Sequence, residues 1–524
     1  MITSKTFGNN GRLGNQLFQY ASLIGLAHKY NTELKLPAWE YAKYFTAEFP
    51  EGDISGIEIK EPTFHYNEDW KCINENETVD IWGYLQSEKY WKDCESKVKN
   101  ALTFTPEFKD QVKRQFSGKA VFNKPTIAIS IRRGDYVNNP NYELMPITYY
   151  ILALFENFPE WERYNIIIFS DDIPYCKVHF DCLPNVFFST NNSDIEDLCL
   201  MSQCDNFILS NSTFSWWGAY LAEKFEDAKI IRPNYLFAGK LLQKNNFKDF
   251  YPSSWTIFDH KKETGENKKI DLSDCSFTIP VSYDHSDRKE NLDLCIAMLR
   301  RNFDCEIIVY EQGGSHFEYT GEANWYLKND EMKEFHRTKM LNEMAMATDK
   351  AFVFNWDADV FIAPLQIWLT AAKLRAGADM VYPYEWMFAR MPRNLWFVTI
   401  RDYEDIGMVG DKKFNGMNNG DAVSVGGAVA FNRSSFIAGG MENEKFISFG
   451  AEDLERKIRF EKLGYSVERV PGPLYHMNHF VGVNSSTQNP YFLHNKGEYL
   501  RVDMMSKTEL LNYVNSWPWI EAKI

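Results

Sequence analysis

No run of about 18 apolar residues, the length a membrane-spanning helix requires, occurs in the sequence. No span is expected, and any membrane contact is expected to be peripheral. The opening stretch "MITSKTFGNNGRLGNQ" lacks the apolar core of a secretory signal. Cysteine is sparse: nine in 524 residues (Cys72, Cys94, Cys176, Cys182, Cys199, Cys204, Cys275, Cys295 and Cys305). The number is odd, none form a C-x-x-C pair, and none follow Cys305. This excludes a disulfide framework and reads as a reduced, cytoplasmic chain. Positive charge is also short, with 57 Lys and Arg against 72 Asp and Glu and a net charge of -15. A broad electrostatic footprint for nucleic acid is thereby excluded. A small anionic ligand is not, because a few local arginines and backbone N–H groups suffice to hold one.

Aromatic residues, by contrast, make up 16% of the chain. They serve either core packing or stacking on sugar rings. The length fits two or three domains. The stretch "DHKKETGENKKIDLSD" (Asp259 to Asp274) is polar, charged and without apolar periodicity. It reads as a linker, placed at 261–275, between a domain at 1–260 and another at 276–524. In the first half, "IAIS", "YNIIIFSDD" and "NFILSNST" are short apolar runs ending in polar residues, with helical stretches between them. The second half alternates likewise, through "FTIPV", "EIIVYEQ" and "AFVFNWDADV". Both halves therefore read as α/β folds with parallel strands, whose ligands sit beyond the carboxyl ends of the strands.

Four stretches of the first half carry chemistry. "GNNGRLGNQLFQYA" has three glycines in seven residues ahead of an amphipathic helix. Gly11, Gly14 and Asn15 there can bring backbone N–H groups close to a diphosphate. In "SIRRGDYV", Arg132 and Arg133 end a strand, where a guanidinium can form a bidentate contact with a phosphate. Asp135 can orient an arginine or accept a hydroxyl proton. "FSDD", with Asp172, and "SNSTFSWWGAYLA", with Ser212 and Thr213, repeat the theme of polar residues at strand ends. Trp216 and Trp217 fit either the core or a sugar platform.

Together with "GYLQSEKYW" (Gly83 to Trp91), these motifs occur in the order seen in the α-1,2-fucosyltransferases (glycosyltransferase family 11), which residues 1 to about 256 resemble. The resemblance implies a GT-B-like, Rossmann-like fold and inverting, metal-independent transfer from GDP-fucose. It implies that Arg132 binds the GDP phosphates, with Arg133 and Asp135 completing the motif. Where the family usually has His two residues before the first arginine, this chain has Ser130.

The second half offers "FNWDADV", "LYHMNHF" and "SFGAEDLERKIRF". If the first is extended, Asp357 and Asp359 point to the same side and can address one divalent cation. His476 and His479 are further candidate metal ligands. Glu452 and Asp453 open a helix, as N-terminal acidic residues or as a general base for an acceptor hydroxyl. With "SDRKENL", "FHRTKMLNEM" and "VGGAVAFNRSSF", the series resembles GT-A glycosyltransferases similar to the β-1,4-galactosyltransferases, over about residues 276–480. That resemblance implies inverting transfer from a UDP-sugar, UDP-galactose being favoured, with Mn2+ or Mg2+ as cofactor. By position it makes Asp359 and His479 metal ligands, with Asp357 and His476 beside them. It makes Asp453 the base, Glu452 its acceptor-binding neighbour, and Arg288 part of the donor-binding turn. The family's glycine before the acidic pair is Ala451 here, and its tryptophan two residues earlier is Phe449.

The expected protein is a two-headed glycosyltransferase acting on nucleotide sugars and a glycan acceptor. Its second half would add a β-linked hexose, and its first half would fucosylate the 2-hydroxyl of the galactoside formed. The alternatives are one active domain, an N-acetylhexosamine donor, or a glycan-binding scaffold on two degenerate transferase folds.

Overall fold

The computed structural model describes the chain except for residues 53–54, 71–72, 74–76, 118–120, 223–226, 283–284, 313–322, 330–333, 386–387, 392–423, 484–485 and 522–524. Two compact units divide it: Met1–Cys176 with Asn185–Asn267, and Lys268–Ile524 with Lys177–Pro184. Both have the expected α/β character. Among the described residues no helix is long and apolar enough to cross a membrane. Eight of the cysteines are buried and in no disulfide among the described residues, and Cys72 lies outside those residues.

The apolar runs of the first unit form a six-stranded sheet in which every pairing is parallel. In chain order its strands are Thr126–Ile131, Asn165–Ser170, Val186–Phe188, Asn206–Ile208, Ile230–Pro233 and Thr256–Phe258. Their order in space is 3-2-1-4-5-6, the doubly wound arrangement. Thr126–Ile131 is buried along its whole length, as a strand covered on both faces must be. Strands one and four pair directly, so their carboxyl ends flank the point where the order reverses. A second, three-stranded parallel sheet places Val79–Trp82 between Ile2–Thr3 and Ile57–Lys60.

Helix Leu13–Lys29 packs against Thr213–Tyr220 through an aromatic cluster of Phe18, Trp91, Trp216, Trp217 and Tyr220. Trp216 and Trp217 are fully buried, which assigns them to the core and removes them as a sugar platform.

The second unit is built on a seven-stranded mixed sheet. Its strands are Ile270–Ser282, Phe303–Gln312, Trp325–Asn329, Phe352–Trp356, Met380–Tyr382, Ala428–Asn432 and Val467–Arg469. Numbered in that order they lie 3-2-1-4-6-5-7. Only Ala428–Asn432 runs antiparallel to its neighbours. The 3-2-1-4 portion has the strand order of half a doubly wound sheet, and the reversed strand makes the sheet mixed. A small sheet places Leu474–Met477 between Val360–Phe361 and Phe388–Met391.

The segment read as a linker is more ordered than its polarity suggests. Residues 270–275 belong to the first strand of the second unit, with Ile270 and Leu272 buried and Asp271 and Ser273 outward. That alternation marks a half-covered strand. The chain changes unit between Asn267 and Lys268.

Candidate functional sites

A cleft of about 700 Å³ opens at the reversal point of the first unit. It collects Gly11, Gly14 and Asn15 from the start of the first helix, Ser130 from the end of strand one, Arg132 and Asp135 just after it, and Ser212 and Thr213 after strand four. Arg132 is held by carboxylates: its Nη1 lies 2.8 Å from Asp171 Oδ2, and its Nη2 donates to Asp135. The guanidinium also lies 5.6 Å from the centre of the Tyr136 ring. Ser212 caps the helix that begins at Thr213, its hydroxyl accepting from the Phe214 N–H.

Two of the residues expected in this cleft stand away from it. Arg133 does not line the cleft. Successive residues after a strand diverge, and Arg133 turns inward, 3% exposed, donating to Asp172 and lying 3.6 Å from the centre of the Tyr175 ring. Asp172 is withdrawn with it, and Asp171 takes the place in the cleft wall that the sequence assigned to Asp172. Gly14 has a packing reason as well: a Cβ there would come within 2.6 Å of the Phe214 nitrogen, so glycine lets the two helix starts approach.

In the second unit a cleft of about 450 Å³ lies beyond strands one and four and takes in Arg288, Asp357, Asp359, Glu452, Asp453, His476 and His479. One ligand atom each from Asp359, His476 and His479 gathers within 4.8 Å. Asp359 Oδ1 and His476 Nδ1 are buried without a hydrogen-bond partner, and imidazole with carboxylate is a donor set suited to a divalent metal. Burial alone would raise the Asp359 carboxyl. His476, His479 and the Arg288 guanidinium, 3.1 Å away, hold it well below the usual range instead.

Asp357 stands apart from this cluster, against expectation. The strand ends at Trp356 and the next residues turn, with the Val360 N–H bonded to the Asp357 carbonyl, so the assumed extended i, i+2 arrangement is absent, although both carboxylates line the cleft. Asp357 instead accepts two hydrogen bonds from Arg337, at 2.8 and 3.1 Å. Arg337 is a site residue the sequence reading left without a role, although it sits in the quoted motif "FHRTKMLNEM".

Glu452 and Asp453 open helix Glu452–Leu463 behind Ala451, whose φ of 63° is left-handed and costly for any residue but glycine. Burial, helped by Asp453, pushes the Glu452 carboxyl up to about 7. The stability this contributes is full below about 4.5, where folded and unfolded chains both hold the proton, and is lost as pH rises through about 7. Glu452→Gln is therefore expected to raise the melting temperature at pH 8 and to raise it far less at pH 5. Equal shifts at both pH values, read by differential scanning fluorimetry, would contradict the half-buried, proton-holding environment.

Comparison with known proteins divides the chain in the same way. Residues 2–259 match the family described as glycosyl transferase family 11. Residues 412–482 match a family described as N-terminal domain of galactosyltransferase, its first part outside the described residues. The Escherichia coli O-antigen biosynthesis glycosyltransferase WbnK is 38% identical over 141 residues, which are 25% of this chain and 44% of that protein. An Escherichia coli α-1,2-colitosyltransferase is 28% identical over 283 residues, 47% of this chain and 95% of that one. The match thus spans less than half of the first relative and nearly all of the second. The solved catalytic domain of Drosophila β-1,4-galactosyltransferase 7 with xylobiose is 16% identical, at a TM-score of 0.23, covering 37% of this chain and 64% of that one. Residues 2–259 are thus similar to glycosyl transferase family 11 and residues 412–482 to a galactosyltransferase family, which gives the chain two parts that are each similar to glycosyltransferases.

Proposed function

We propose that the chain is a bifunctional, cytoplasmic inverting glycosyltransferase. The second unit transfers a hexose, galactose by preference, from a UDP-sugar in β linkage to a glycan acceptor. The first unit transfers fucose from GDP-fucose to the 2-hydroxyl of the galactoside formed. The observation that carries this reading is the position of the charged groups: in each unit they lie beyond strands one and four of a 3-2-1-4 sheet, where doubly wound folds bind nucleotides.

In the first cleft Arg132 binds the donor diphosphate, its fork aligned by Asp135 and Asp171. In the second, Asp359, His476 and His479 would hold manganese or magnesium, which supplies positive charge toward the leaving diphosphate. Arg288 and Arg337 add fixed positive charge in the cleft wall. Asp453 takes the proton of the acceptor hydroxyl as its oxygen bonds to the sugar's anomeric carbon and the bond to UDP breaks. Glu452 binds the acceptor. Joining the two activities keeps the product of one at high local concentration for the other.

The test is incubation of the full-length chain with GDP-fucose, UDP-galactose or both and a panel of simple sugar acceptors, read by mass spectrometry. UDP-galactose should extend an acceptor, and GDP-fucose should add only to β-galactosides, supplied or newly made. Consumption of neither donor would overturn the proposal. The similarity to a colitosyltransferase over 95% of that protein favours a second reading, in which the first unit takes an activated colitose. A parallel incubation with that donor separates the two.

A further inference from the structure

Behind Asp453 lies a series of buried polar side chains that the proposed reaction does not use. Arg456 follows Asp453 on the same helix face, and its Nη2 donates to Asp453 Oδ1 at 2.7 Å. Its Nη1 donates to Glu442 Oε1 at 2.8 Å, and both side chains of that pair are only 1% exposed. Glu442 is itself held from two directions. Asn355, on the strand that leads to Asp357, donates its amide to Glu442 Oε1 at 2.8 Å. Asn342 exchanges hydrogen bonds with the Glu442 main chain, at 2.8 and 2.9 Å.

The two oxygens of Asp453 are thereby made unequal. Oδ1 faces Arg456, with Arg337 Nη1 a further 3.4 Å contact. Oδ2 lies beside Gly426 in the cleft wall, where a Cβ on residue 426 would approach it to 2.8 Å. A buried ion pair gives little net stability over well-packed apolar side chains of the same volume. What Glu442 and Arg456 add that an apolar pair would not is an oriented carboxylate.

We infer that Glu442 and Arg456 are a positioning pair, which pins Asp453 through Oδ1 and turns Oδ2 into the cleft as the proton-accepting atom. The inference rests on the reading of Asp453 as the base. Neither side chain of the pair lines the cleft; Glu442 acts through Arg456, and Arg456 through Asp453, its Nη2 also lying 3.4 Å from the Val425 carbonyl oxygen beside Gly426. Gly426 belongs to the same device, because any side chain there would displace Oδ2.

Removing one partner alone leaves a buried charge and risks misfolding, so the test is the double variant Glu442→Gln with Arg456→Met. It removes both charges, keeps the volume and leaves Asn355 a carbonyl oxygen to donate to. Transfer from UDP-galactose, to whichever sugar of the acceptor panel the wild type extends, is expected to lose at least tenfold in kcat. The donor KM and the affinity for UDP with manganese, measured by calorimetry, should stay within about twofold, and a crystal structure should show Asp453 in another rotamer. A folded double variant with wild-type kcat, or with Asp453 unmoved, overturns the inference. Asp453→Asn, measured alongside, is expected to lose about 10²-fold. A full rate in that variant sinks the base assignment itself, and the positioning pair with it. A collapsed rate there, together with a full rate in the double variant, sinks only the pair.

Discussion

Chelation of divalent metal is expected to abolish hexosyl transfer from the UDP-sugar and to leave fucosyl transfer from GDP-fucose near its full rate. The asymmetry follows from what each cleft holds. Around the first, Asp135 and Asp171 are both engaged with Arg132, and among the described residues no group of three metal-ligating side chains gathers there. In the second, Asp359, His476 and His479 converge, and Asp359 Oδ1 and His476 Nδ1 are buried without a hydrogen-bond partner, a costly arrangement unless something binds there. Asp359→Asn should reproduce the selective loss, and calorimetric titration with manganese should show binding in the wild type and none in the variant. Asp357→Asn should bind manganese almost as tightly as wild type, since that carboxylate faces Arg337. Equal sensitivity of both transfers to chelator, or loss of manganese binding in the Asp357 variant alone, would contradict this arrangement.

The features legible in the sequence were those set by local chemistry. Strand ends were visible because apolar runs such as "TIAISI" stop at a polar cluster, and a parallel sheet places such clusters in its crevice. Which member of a cluster enters the crevice was not visible. Arg132 and Arg133 are adjacent, as are Asp171 and Asp172, and one residue's shift reverses the side on which each lies. The same limit applied to Asp357 and Asp359, where a turn replaced the assumed extended backbone. Partners distant in the chain were the least legible. Glu442 and Arg456 were given no role by the sequence, and the fold buries them together behind Asp453. The aromatic excess was ambiguous for a similar reason, because burial decides between core and platform and comes from tertiary packing.

Arg132→Lys should lower fucosyl transfer about 10²–10³-fold, the range for losing a donor aimed at charge that develops in the transition state. The charge survives this substitution, so a purely electrostatic role would predict a small effect. Arg132, however, serves three neighbours at once. Its two terminal nitrogens are engaged by Asp171 and Asp135, and its plane lies near Tyr136. A guanidinium satisfies both carboxylates with one rigid fork and still offers N–H groups to a diphosphate. An ammonium is a single point that must choose among them, so the lysine would be drawn to the carboxylates and away from the donor. GDP affinity should fall with the rate, and hexosyl transfer by the other unit serves as the control for folding. Asp171→Asn should show a smaller loss of the same kind, because it removes one of the two carboxylates that align the fork. A lysine variant with near-wild-type fucosyl transfer would remove Arg132 from the donor site, leaving it as the paired, solvated end of a strand.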